Sequence, residues 1–291
     1  MRAVILGAGG QLAHDLVLAM DGWDRVALRH ADLDICDHDR VRDTLRELRP
    51  EVVINTAAMH KVEACEADAE GAFRVNAFAV RNLALVCAEL DCKLVHMSTD
   101  YVFGGEKRTP YREDDAPNPL SVYGISKLAG EYFVRNYAPK RLVVRSSGLF
   151  GVVGPSGKGS NFVDSMVRLA KEGRPIRVVS DQVFSPTYTV DLAGKMKELV
   201  EADLSGVVHV TNQGWCSWFH MAQQIFEILG LTPDVSPITS ADYGVKVRRP
   251  SFSVLANTHL ERMNLTVLPA WQEALRTYLN EKEHLQEQRA P

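Results

Sequence analysis

Tyr123 and Lys127 lie four residues apart in the stretch NPLSVYGISKLAGE. On a helix this spacing puts a phenol and an ammonium on one face, one turn apart. A tyrosine titrates near 10, and moving it about three units toward neutrality takes roughly 4 kcal/mol of differential stabilisation, which a nearby ammonium in a partly dry site supplies. The chemistry suggested is donation of a proton to a substrate oxygen, with Lys127 tuning Tyr123. Spacing alone also fits a plainer role, a tyrosine that anchors the helix and a lysine that solvates it. Tyr278 and Lys282 repeat the interval in TYLNEK. That second pair lies in a polar C-terminal helix, far from any glycine-rich turn, and reads as surface.

A proton donor needs a hydroxyl to hold the substrate oxygen, and the segment HMSTDYVFGG provides Thr99. This apolar strand ends at Thr99, which puts the hydroxyl where open α/β sheets bind ligands, at the carboxyl end of a parallel strand. Thr99 is expected to give a second hydrogen bond to the developing alkoxide beside Tyr123. The helix carrying Tyr123 has entry chemistry in Asn118, a cap, and Pro119, suited to the first helical position.

The elements that must position these groups alternate along the first half of the chain. Apolar strands at 3–9, 25–29, 51–58, 93–98 and 141–151 are separated by helix-like segments, including 11–20, HDRVRDTLREL and EGAFRVNAFAVRNLALVCAEL. This rhythm predicts an α/β fold, a doubly wound parallel sheet covered on both faces. Residues 1–150 form its dinucleotide-binding domain. Beyond residue 150, NFVDSMVRLAKEG, SWFHMAQQIFEILG and PAWQEALRTYLNEK read as helices between proline-rich connections. Residues 151–291 therefore form mainly a smaller C-terminal α/β substrate lobe, with a segment near 178–212 returning to the sheet. The tail EHLQEQRAP is expected to fray.

Gly7-Ala8-Gly9-Gly10-Gln11-Leu12-Ala13 follows the first strand and opens the first helix. Such a turn exposes helix N–H groups to a pyrophosphate, making Gly7, Gly10, Gln11 and Leu12 candidates for dinucleotide contact. The second strand ends at Arg29-His30 with no acid until Asp32, which leans toward the 2′-phosphate of NADPH while leaving NADH open. Asp34 and Ile35 are placed to flank the adenine, and the small residues Ala57, Ala58 and Met59 after the third strand leave room for the cofactor. Lys127 would reach the nicotinamide ribose.

Composition narrows the classes further. The chain has 291 residues, a formal charge of −4 and scattered Lys and Arg, so nucleic-acid binding has no electrostatic footprint. No apolar run approaches the ~18 residues needed to span a bilayer, and the start of the chain lacks a signal-peptide pattern. The five cysteines contain no C-x-x-C pair and read as reduced thiols of a cytoplasmic protein. The nine histidines show no metalloprotease-like spacing, so no metal ligand set is assigned.

The glycine turn, STDYVF, YGISKLAGE and VVRSSGLFG together resemble the extended short-chain dehydrogenase/reductases. VNAFAVRNLA, DQVFSPTYTVDLA, GVVHVTNQGWCSWFHMA and RRPSFSVLANTHL narrow the resemblance to the dTDP-4-dehydrorhamnose reductases, over nearly the whole chain. The resemblance implies a Rossmann-type fold and NAD(P)H-dependent reduction of the C4 keto group of a dTDP-linked 6-deoxyhexulose. It gives Thr99, Tyr123 and Lys127 the catalytic places, and puts Asp100, Tyr101, Asn161, Arg248 and Arg249 at the nucleotide sugar. Some members hold Mg²⁺ through acids at a subunit interface, so the resemblance admits a homodimer and Mg²⁺, although the sequence singles out no acids for it. Two departures bear on the sugar. Gly148-Leu149 stand where members usually carry Trp, and Val183-Phe184-Ser185 where they usually carry Gly. The resemblance leaves other activities open, an epimerase on the same fold or a non-catalytic module like the regulatory β subunit of methionine adenosyltransferase. A 4,6-dehydratase is disfavoured because Asp100 is followed by Tyr101 in place of the second carboxylate that elimination needs.

Overall fold

The computed structural model describes residues 1–154, 160–244 and 246–287. The chain begins with β1 (Arg2–Leu6), α1 (Gln11–Ala19), β2 (Asp24–Leu28), α2 (His38–Leu48) and β3 (Val52–Asn55). Two short helices, α3 (Val62–Ala67) and α4 (Ala69–Phe73), lead through a π-helical turn at Arg74–Phe78 into α5 (Ala79–Glu89). Then come β4 (Lys93–Thr99), α6 (Val122–Tyr137), β5 (Arg141–Ser146), β6 (Leu149–Phe150), α7 (Phe162–Lys171), β7 (Ile176–Val179), β8 (Val183–Phe184) and β9 (Thr187–Tyr188). The chain closes with α8 (Thr189–Glu201), β10 (Gly206–His209), β11 (Cys216–Ser217), α9 (Trp218–Ile228), β12 (Val235–Ile238), α10 (Thr258–Arg262) and α11 (Trp271–Glu287).

The main sheet is parallel, in the order β10-β5-β4-β3-β1-β2. Its strands are nearly continuous apolar runs because both faces are covered: every residue of β3 and β4 is buried. Alternate residues serve opposite layers. Ala3, Ile5, Ile54 and Val95 pack on α1 and α8, while Val4, Leu6, Val53 and Leu94 pack on α2, α5 and α6. This is the doubly wound, Rossmann-type arrangement expected from the sequence. Its strand order reverses between β1 and β3, which opens a crevice at their carboxyl ends. The return to the sheet starts at α8 and ends in β10. Val178 and Val179 belong instead to β7, which pairs with β12 outside the main sheet.

A third core, with Phe150, Met166, Tyr188, Ile225, Trp271 and Tyr278, fills the smaller lobe. Of the tail expected to fray, residues 283–287 continue α11, and 288–291 lie outside the described residues. Among the described residues no helix is long and apolar enough to cross a membrane.

Candidate active site

A cavity of about 960 Å³ runs from the glycine turn to the mouth of the smaller lobe. At its cofactor-like end, Gly7 has φ +80°, and a Cβ there would meet Ala57 N at 2.7 Å, so only glycine lets the turn approach the end of β3. Gly10 caps α1 without a side chain, which leaves first-turn N–H groups available to an anion. Gln11 donates to the Leu149 carbonyl at 3.1 Å, while its buried Oε1 has no protein partner. The buried Ser146 Oγ also has none. Two orphaned polar atoms lining a glycine-walled crevice fit a polar ligand such as a dinucleotide. Leu12, Asp34, Ile35, Ala57, Ala58 and Met59 complete this end.

Arg29 lies apart from it. β2 stops at Leu28, and Asp32 turns the chain by accepting from the Arg29 N–H at 2.8 Å, which leaves Arg29 exposed and puts His30 on the cavity wall. Arg248 is also exposed and off the lining, whereas Arg249 lines the cavity, paired with Glu63.

Thr99, Asp100, Tyr101, Tyr123 and Lys127 converge on the same cavity. The helix that carries Tyr123 starts later than Asn118 and Pro119 suggest. Ser121 is the cap, its hydroxyl accepting from Gly124 N at 3.3 Å. Asn118 is used instead to tie down the preceding loop, donating to Val102 O and Glu106. The side chain of Asn76, on the π turn, holds Met59 through both its N–H and its C=O, each at 2.9 Å, and donates to Ser126 at 3.1 Å. One buried amide thereby fixes the loop after β3 to the catalytic helix. The only sequence signal for it is a polar residue inside the apolar run RVNAFAV.

The electrostatics differ from the simple expectation. Burial is the largest influence on Tyr123 and pushes its phenol up. A hydrogen bond from Thr99 opposes this, and Asp100, Tyr101 and Cys65 add to it. Lys127 is not among the groups acting on Tyr123 here. Burial brings Lys127 itself down to about 8, against an upward pull from Glu131. Its Nζ donates to Met97 O at 2.6 Å and lies 3.3 Å from His96 Nε2. Glu131, one turn further along α6, receives Arg145 in a bidentate buried pair at 2.9 and 2.6 Å, and also receives Ser98. That pair holds α6 against β4 and β5 at the level of the site.

Asp100 is 4 % exposed and accepts from Thr99 at 3.0 Å, Ser147 at 2.8 Å and Ser253 at 2.5 Å. Burial pushes its carboxyl up, and the three hydroxyls oppose that. Its oxygens are therefore occupied within the protein, and it orients Thr99 in addition to any ligand contact. The single Thr99 proton cannot serve Asp100 and the phenol at once. Asn161 is similarly committed. It caps α7 through Asp164 N, and its amide donates to Gly151 O at 2.9 Å and to Tyr278 Oη at 3.0 Å.

Tyr278 is a correction to the surface reading. It is fully buried, donates to Asp164 Oδ1 at 2.6 Å, and packs against Phe150 and Tyr188. Trp271, Ala274, Leu275, Tyr278 and Leu279 form one buried stripe of a helix whose other face is polar.

The family described as RmlD substrate binding domain matches residues 1–284. The chain is 41% identical over 279 residues to a dTDP-4-dehydrorhamnose reductase of Mycolicibacterium smegmatis, covering 94% of this chain and 84% of the relative. This chain belongs to the dTDP-4-dehydrorhamnose reductase family. It is also 38% identical to the spore coat polysaccharide biosynthesis protein SpsK of Bacillus subtilis, over 97% of this chain and 98% of that protein. A Bacillus anthracis dTDP-4-dehydrorhamnose reductase solved in complex with NADP superposes with a TM-score of 0.92 at 36% identity, covering 96% of this chain and 99% of that one. A UDP-glucose 4-epimerase of Thermus thermophilus shares the fold alone, at 22% identity and a TM-score of 0.81.

Gly148 and Phe184, both singled out in the sequence, meet in space. Gly148 has φ +54°, and a Cβ there would stand 2.3 Å from the Phe184 ring. Phe184 in turn stacks on Trp218 with centroids 3.9 Å apart. The Phe184 ring from β8 thus fills the space that a side chain at residue 148 would take.

Proposed function

We propose that this protein is an NADPH-dependent reductase of the 4-keto group of a dTDP-linked 6-deoxyhexulose. The observation that carries the reading is the convergence of Thr99, Tyr123 and Lys127 with the Gly7–Gly10 turn in one cavity. The glycine turn and the N-terminus of α1 would hold the pyrophosphate, with Gln11 and Ser146 supplying polar contacts. Bound NADPH supplies the hydride.

Everything else falls to the chain's own residues. Tyr123 gives its phenolic proton to the C4 oxygen of the substrate. Its raised pKa keeps that proton in place until a stronger acceptor forms, and the alkoxide is such an acceptor. Thr99 holds the same oxygen once its single proton turns from Asp100 to the ligand, the hydroxyl oxygen staying fixed by the Tyr101 N–H that it accepts at 3.2 Å. Lys127, as an ammonium, steadies the phenolate left behind. Asp100, Tyr101, Asn161 and Arg249 border the sugar nucleotide, with the Phe184–Trp218 stack forming an apolar wall.

The test is to follow NADPH absorbance with a panel of 4-keto nucleotide sugars. Oxidation stoichiometric with dTDP-4-keto-6-deoxy sugar supports the reading. Conversion of a nucleotide sugar without net NADPH consumption would overturn it in favour of an epimerase.

A further inference from the structure

Asn55, His96 and Lys127 form a buried chain from β3 through β4 to α6. Asn55 and His96 are register partners with no exposure, and Lys127 is 3 % exposed. The direction of each hydrogen bond along this chain is fixed by its first member. A backbone N–H can only donate, so the Asn55 atom that meets Ala57 N at 3.1 Å is Oδ1. The other end of that amide, Nδ2, therefore faces His96 Nδ1 at 3.2 Å and donates to it. Burial holds the His96 imidazole well below its ordinary pKa, so the ring is neutral and carries one proton. With Nδ1 accepting, that proton sits on Nε2.

His96 Nε2–H points at Lys127 Nζ, 3.3 Å away. An ammonium has three donors and no lone pair, so it cannot receive this hydrogen bond. An amine can, and it can still donate to Met97 O at 2.6 Å. The groups bearing on Lys127 are His96 from β4 and Glu131 from its own helix, with Arg145 from β5 paired to Glu131. Asp100 and Cys65 act on the phenol of Tyr123. Glu131 favours the ammonium, but Arg145 grips both of its oxygens. His96 lies off the cavity wall and touches neither cofactor nor substrate space.

We propose that His96 is a positioning residue that stabilises the amine form of Lys127 in the free protein, so that an anionic nucleotide filling the cavity draws the missing fraction of a proton from solvent onto Lys127. The proton balance is one H⁺ from buffer added to the amine. The ammonium so formed gives up the His96 contact and keeps Met97. The titration of Lys127 down to about 8 agrees with this hydrogen-bond accounting. The second half of the proposal rests on the reductase reading; the first half does not.

The experiment uses the full chain labelled with ¹³Cε-lysine, the Lys127 resonance being assigned by its loss in Lys127→Met. In the free protein this signal should titrate near 8, well below the ordinary lysine value of about 10.4. His96→Asn keeps an acceptor for Asn55 and removes the Nε2–H, and should raise the midpoint by about one unit, a tenfold change in the proton equilibrium. His96→Gln presents an amide oxygen toward Lys127 and should raise it at least as far, which keeps the test alive if the Asn variant does not fold. Titration together with the exposed lysines, or a midpoint unmoved in both variants, overturns the proposal. Calorimetry of NADPH binding in two buffers of different ionisation enthalpy should show uptake of about half a proton at pH 8, the fraction missing from a group at its own pKa, and loss of that uptake in the variants. Binding without any uptake overturns the second half. Failure of NADPH to bind, with the lysine titration as expected, would instead remove the reductase reading and leave the role of His96 standing.

Discussion

Two Tyr-x-x-x-Lys pairs in this chain share spacing, a helical setting and a buried tyrosine, yet only one has the surroundings of an acid catalyst. Tyr123 faces a cavity with Thr99 beside it, and Lys127 below it has an amide carbonyl and an imidazole for neighbours. Tyr278 is enclosed by Phe150 and Tyr188, with both hydrogen-bonding directions of its hydroxyl spent on Asn161 and Asp164. Burial raises both phenols. The difference is that Tyr123 has a substrate-sized space in which to lose its proton, whereas Tyr278 has a carboxylate that already receives it. A motif of this length becomes a site through what it faces.

The comparison breaks most sharply in turnover. Tyr123→Phe should fold, bind NADPH and lose kcat by about 10²–10⁴, the range that a positioned general acid contributes. Tyr278→Phe should keep kcat within a few-fold. NADPH oxidation assays on the two purified variants measure this, and equal losses would remove the distinction.

The second test follows Lys127 through pH. The folded pKa of Lys127 lies near 8, below its unfolded value near 10.4. Between those values the unfolded chain binds the proton and the folded chain does not, so this group makes stability rise with pH, by up to about 1.4 kcal/mol per unit. Below pH 8 both states are protonated and the slope vanishes. Wild type should therefore gain on Lys127→Met between pH 8 and 10 in denaturant unfolding.

These contrasts also show which parts of the molecule could be read from sequence. Continuous apolar runs leading to Gly7, Met59 and Thr99 made the parallel sheet and its crevice legible, because burial on both faces leaves little freedom in composition. The start of α6 was not, since Asn118, Pro119 and Ser121 are all competent near a helix N-terminus and only the bond to Gly124 decides among them. The π turn at Arg74–Phe78 adds a residue without changing the apolar pattern, so Asn76 looked like a helix residue on no particular face. Tyr278 misled for a related reason. Its neighbours Asn280, Glu281 and Lys282 are polar, and the stripe that buries it includes Trp271, a full two turns earlier. The roles of Asp100 and Asn161 depend on which loops meet them, Ser253 and Tyr278 respectively, and contacts across more than a hundred residues leave no local trace.

Within the second pair the effects are on stability. Tyr278→Phe leaves an Asn161 N–H and an Asp164 oxygen without a buried partner, and should cost about 1–3 kcal/mol in denaturant unfolding with kcat retained. A loss below a few tenths would mean that water replaces the hydroxyl.

Lys282→Met should have the smallest effect of the set. Its ammonium reaches Asp164 at 3.3 Å, but both side chains are about a quarter exposed, 25% and 26%. Solvent there screens the attraction, and ordering the long side chain offsets part of it, so the pair contributes about 0.2–1 kcal/mol. Asp164 also keeps the Tyr278 hydroxyl, which is the shorter bond at 2.6 Å. The loss should shrink further in high salt, because partly exposed charges are screened by added ions. A loss as large as that of Tyr278→Phe, or one insensitive to salt, would mean that Lys282 holds the buried acid in place much as Arg145 holds Glu131, and the two pairs would then share more than their spacing.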